Sequence, residues 1–272
     1  MRCIFCKQNS DNSKSIEHII PESLGNKEHV LPKGVVCDMC NNYLALKVEK
    51  KLLEQDYFKA IRSRNNIKNK KDKIVSWKGT IIANNKIFTV DFILENGHIG
   101  LDSTNKELES YILSGHANKM YVQIFQTPEE NNIYLSKFIC KVGIEALTKL
   151  CLDVSNYENE VVDKKELDPI RNFVRYGKST AIWEYSQRRI YSELDIFLET
   201  PGHPYEILHE YTFKYSESME LFFIVSIMGI EYAINMAGPS IETYNLLLEK
   251  NNYKSFLSVD TEINLTKLNN LY

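Results

Sequence analysis

The sequence predicts an α+β protein, a small zinc-bound module followed by a larger α+β domain with an antiparallel sheet. Three observations lead there. Two Cys-x-x-Cys pairs, Cys3/Cys6 and Cys37/Cys40, stand thirty residues apart in an opening segment poor in hydrophobic periodicity. A helical apolar spacing follows them. Beyond it, β-branched and aromatic runs broken by turn residues fill residues 74–101 and much of the last third of the chain.

Two residues between paired cysteines let one tight turn aim both sulfurs at one ion, and four thiolates satisfy a tetrahedral zinc. Residues 1–41 are rich in Gly, Pro, Asn and Ser, which suits a fold nucleated by metal in place of an apolar core. From 42 to about 64, Leu44, Val48, Leu52 and Tyr57 approximate one helical face, and Asn41 is placed to cap it. Between 74 and 101, apolar runs separated by Asn84-Asn85 and Asn96-Gly97 read as a hairpin or small meander. Helices are expected over 106–114, 136–152, 167–176 and 188–198, with a strand over 120–126. Residues 206–215, 221–228 and 231–236 read as paired strands. The expected division is a module at 1–70 and a second domain at 71–272.

With 43% hydrophobic and 25% charged residues, the composition excludes the disordered and fibrous classes. No apolar run reaches membrane length, and Met1-Arg2-Cys3 leads straight into the first cysteine pair, so a cytoplasmic protein without a membrane partner is expected. In that setting paired cysteines fit metal thiolates better than disulfides, while Cys140 and Cys151, in an apolar stretch, read as buried thiols. His98, His116, His203 and His209 share no metal-ligand spacing and read as packing or surface residues. The net charge of −3 argues against indiscriminate nucleic-acid binding, yet it is unevenly spread: residues 1–80 carry 16 Lys+Arg against 9 Asp+Glu. The densest basic run includes Arg62, Arg64, Lys68, Lys70 and Lys71. These, with Lys33 nearer the cysteines, are candidate phosphate contacts, against the plainer reading of a solvated surface.

Between the cysteine pairs lies Glu17-His18-Ile19-Ile20-Pro21-Glu22-Ser23-Leu24-Gly25, and the second pair closes as Cys37-Asp38-Met39-Cys40-Asn41-Asn42. Over about the first 50 residues this order resembles the HNH, or ββα-metal, endonucleases in their zinc-stapled form. The resemblance implies a β-hairpin presenting His18 and a following helix presenting Asn41. It also implies that Glu17 and the Asn41 carbonyl bind one catalytic Mg2+ (or Mn2+), with Asn42 the alternative to Asn41. The family more often carries Asp before the histidine, whereas Glu17 reaches one methylene further. Its middle asparagine, which buttresses the histidine loop, has no obvious counterpart before the second cysteine pair, and Asn26 matches poorly by position.

Phosphodiester hydrolysis needs a water made nucleophilic near neutral pH, and imidazole suits that proton removal, so His18 is the expected general base. A hard divalent cation would stabilise the charge gathering on the phosphoryl oxygens. The expected function is thus a metal-dependent endonuclease acting on DNA, with RNA the secondary substrate. Defence against phage is its expected setting. The larger domain would restrain or direct it, or mediate a homo-oligomer or a partner protein. A zinc-binding recognition or scaffold module without catalysis is the alternative.

Overall fold

The computed structural model describes residues 1–257 apart from 27, 70–71, 96–97, 103–104, 123–126, 155, 178–180, 193–197, 201–202 and 205–208. Its contacts gather into two compact units, Met1–Lys51 with Glu129–Tyr272, and Leu52–Pro128. They do not follow the expected division at residue 70. Residues from 129 onward close on the cysteine module, and the stretch between forms a body of its own.

In the first unit β1 (Glu17–His18) pairs antiparallel with β2 (Val30–Leu31), setting Glu17 opposite Leu31 and His18 opposite Val30. Helix α1 (Asp38–Leu44) starts at Cys37, whose sulfur accepts from the Cys40 N–H, and Asp38 complements the positive helix end. Asn41 therefore lies inside the first turn and does not cap the helix. The coil continues through a π-helical turn, Ala45–Glu49, into α2 (Lys50–Leu53).

The second unit comprises α3 (Asp56–Arg64), β3 (Trp77–Ala83), β4 (Lys86–Glu95), β5 (His98–Asp102), α4 (Lys106–Leu113) and β6 (Ala117–Val122). Its antiparallel sheet has the order β5-β4-β3-β6. Asn84 and Asn85, with φ of 46° and 58°, make the left-handed two-residue turn that their sequence predicts, whereas Asn96 and Gly97 lie outside the described residues. Alternate positions Trp77, Ile81, Val90 and Phe92 pack with Ala60 and Leu108 from the helices. The Phe92 ring lies directly on Gly79, where an added Cβ would sit 1.9 Å from Phe92 Cε2. Of the strand expected over 120–126, residues 123–126 are not described.

The first unit resumes with α5 (Ile133–Val154), α6 (Asp168–Arg175) and β7 (Tyr185–Arg189), then the short hairpin β8 (Leu198–Thr200) and β9 (His203–Pro204). β10 (His209–Tyr215), β11 (Leu221–Ile227), β12 (Ile230–Asn235) and α7 (Glu242–Lys250) follow. β10-β11-β12-β7 form the antiparallel sheet anticipated for the last third of the chain, of which 205–208 are not described. The helix expected over 188–198 is not formed at its start, because β7 pairs with β12 as a charged edge strand; residues 193–197 are not described. Helix α7 was not expected, although Ile241, Tyr244 and Leu248 are spaced to pack one face on Phe222, Ile224 and Ala233. Among the described residues no helix is long and apolar enough to cross a membrane.

Candidate active site

The four cysteines converge as their spacing predicts: the sulfurs of Cys3, Cys6, Cys37 and Cys40 all lie within 4.8 Å of one another. Backbone N–H groups already point at them, Cys37 N at the Cys3 sulfur (3.3 Å) and Cys40 N at the Cys37 sulfur (3.4 Å). Without a cation the four cannot share negative charge. A hydrogen bond from Cys40 draws the Cys3 thiol down to about 5, while burial pushes Cys6 up to about 11, and the bond to Cys3 pushes Cys40 up as well. This donor set fits a structural zinc, which takes four thiolates and removes that conflict.

The distal part of the unit supports the cysteine cluster. Arg175 of α6 lies 3.3 Å from the Cys40 sulfur and 4.1 Å above the Tyr43 ring. Buried Arg171, one turn earlier, donates to the Ile4 and Val161 carbonyls, both at 2.6 Å, and pairs with Asp168.

His18 stands on β1 with its side chain 27% exposed and Nε2 3.6 Å from Glu22 Oε1. Its Nδ1 is buried and has no hydrogen-bond partner among the described residues. The chain on either side is held tightly. Asn41 Nδ2 donates to the Ile16 carbonyl (3.3 Å), tying the first turn of α1 to the entry of β1, while its side-chain Oδ1 has no hydrogen bond among the described residues. After β1, buried Asn26 donates to the carbonyls of Ile20 and His29 and accepts from the N–H groups of Glu28 and His29. One amide thus closes the hairpin loop. Asn26, a poor match by its position in the sequence, is the residue that ties this loop together. His209 of β10 adds a bond from Nε2 to the Leu24 carbonyl (2.8 Å), and burial depresses its pKa to about 4, so the ring is neutral. His29 stacks edge-on against Tyr211 at 5.5 Å.

Glu17 departs most from expectation. It is buried, and its carboxylate lies 2.7 Å from the ammonium of Lys141 on α5. Lys141 is fully buried and also meets Glu49 at 2.8 Å and Glu145 at 3.0 Å. The same ammonium donates to the carbonyls of His18 (2.9 Å) and Ile19 (3.4 Å). The spacing of Lys141 and Glu145 puts both on one face of α5, and the π-helical turn delivers Glu49. Burial alone would lower the Lys141 pKa, but Glu145, Glu17 and Glu49 outweigh it and hold the ammonium charged; burial raises the pKa of Glu17 and of Glu145. Nothing in the local sequence pointed to Lys141.

The proposed phosphate contacts are scattered. Lys33 is exposed just after β2 in the first unit. The others belong to the second unit, where Arg62 is mostly buried, against the solvated run its neighbours suggest, and burial lowers its pKa. Arg64 is half-buried and Lys68 is exposed but paired with Asp72 at 2.9 Å, while Lys70 and Lys71 lie outside the described residues. Cys140 and Cys151 are buried, as expected.

Residues 3–57 match the family model described as HNH endonuclease. No curated protein and no solved structure matches the chain.

Proposed function

We propose that the module over residues 3–57, which matches the HNH endonuclease family model, hydrolyses phosphodiester bonds of DNA with His18 as general base. The observation that carries this reading is a part-exposed imidazole on a backbone pinned from both sides by Asn26, Lys141 and Asn41. A base of that kind can take the proton from an attacking water without the strand yielding. In this family a divalent cation supplies Lewis-acid stabilisation of the phosphoryl oxygens. The Asn41 side-chain oxygen, without a hydrogen bond among the described residues, fits such a ligand; Glu17, buried against an ammonium, does not fit an ion that keeps water and phosphate in its outer positions.

Exposed Lys33 supports a phosphate track near the hairpin. The setting we propose for this activity is defence against phage DNA in the cytoplasm. The test is plasmid cleavage with Mg2+ or Mn2+, wild type against His18→Ala, with an RNA substrate in parallel. Loss of cutting in the variant is expected, and cutting that persists removes His18 from the role of base. The engagement of Glu17 favours one second reading, a zinc-bound recognition module without catalysis. Binding without cutting under either cation would establish it.

A further inference from the structure

We propose that the ammonium of Lys141 is the resident cation of this site: it takes the carboxylate of Glu17 and the carbonyls of His18 and Ile19, so that Lys141 and Glu17 position the general base and Glu17 ligates no divalent ion. The proposal rests on the nuclease reading for what is being positioned. Its geometry stands without it.

Three side-chain oxygens and two carbonyl oxygens surround the Lys141 nitrogen between 2.7 and 3.4 Å. An ammonium has three donors, so the cage leaves it none to spare. Magnesium, by contrast, demands oxygens at about 2.0–2.1 Å and retains several waters, and a carboxylate side chain 7% exposed offers no room for them. The hydrogen bond from Lys141 to the His18 carbonyl reaches the base through its own backbone, across 123 positions of sequence. Lys141 also lies outside residues 3–57, so the device belongs to the remainder of the chain.

The decisive variant is Glu17→Gln in the full-length, zinc-loaded protein, because glutamine preserves an acceptor for Lys141 while removing a strong metal ligand. Mn2+ binding followed by electron paramagnetic resonance, and the Mn2+ dependence of cleavage, should each stay within about twofold of wild type, while kcat falls about tenfold at unchanged KM. A tenfold or greater loss of Mn2+ affinity would make Glu17 a ligand and overturn the proposal. Lys141→Met supplies a readout independent of cleavage: amides of residues 17–20 should exchange with solvent about tenfold faster while zinc content is retained. Unchanged exchange in a zinc-loaded variant would refute the pin. Should Lys141→Met lose its zinc, Glu17→Gln decides alone. A wild-type protein that cuts neither DNA nor RNA refutes the nuclease reading, and the exchange experiment then still decides the role of Lys141.

Discussion

The second unit and the cysteine module of the first are held in different ways. Leu52–Pro128 builds its core from neighbours in sequence: a meander closed by an Asn-Asn turn, alternating inward residues and two covering helices. The module of Met1–Lys51 has strands of two residues each and is held by long-range polar bonds, from Lys141 to His18, Arg171 to Ile4 and His209 to Leu24. Apolar packing tolerates approximate placement, whereas a base must be fixed to a fraction of an ångström. Directional bonds to the His18 backbone would supply that for the proposed base where a short hairpin cannot.

The contrast breaks most visibly at the metal. Chelating zinc, or Cys40→Ser, should cost the first unit on the order of 10 kcal/mol, opening residues 1–51 to hydrogen exchange while β3 to β6 stay protected. Loss of protection in both units would show that they share one cooperative transition. The converse is Phe92→Ala, expected to destabilise the second unit by about 4 kcal/mol through a core cavity while zinc content stays full.

Asn26→Ala tests whether one amide holds the hairpin loop. It leaves buried backbone groups unpaired, at a cost of about 3 kcal/mol by denaturant titration, and should lower cleavage about tenfold or more. His209 gives the first unit a pH signature. Its pKa falls from 6.5 unfolded to about 4 folded, so between those values the unfolded chain binds the extra proton and stability declines as pH drops. The window is worth about 3 kcal/mol, and His209→Gln should flatten the pH dependence of unfolding there. Gly79→Ala has the smallest expected effect, about 2 kcal/mol in the second unit, because the Phe92 ring must move off the new methyl.

Much of this was legible in short stretches of sequence. The Cys-x-x-Cys spacing forecast the converged sulfurs, the Asn84-Asn85 pair forecast its turn, and the apolar runs after 206 forecast the sheet. The failures share a cause. Arg62 sits in a basic run that looks solvated, yet the residue is on the buried face of α3. Tyr185–Arg189 carries no strong strand pattern and becomes a strand because β12 offers it an edge. Asn26 matches poorly by its position in the sequence, whereas its hydrogen bonds depend on where the loop folds back.

What the sequence determined by itself was the chemistry available: four thiolates at a spacing that one zinc can close, and an imidazole carried between them. Residue spacing fixes such matters because a tight turn or a helix converts it directly into geometry. Only the tertiary structure decided which cation faces Glu17 and what holds His18 still. Those answers depend on α5 bringing a buried ammonium against a strand 123 positions away, and desolvated charges pair with whatever packing places beside them.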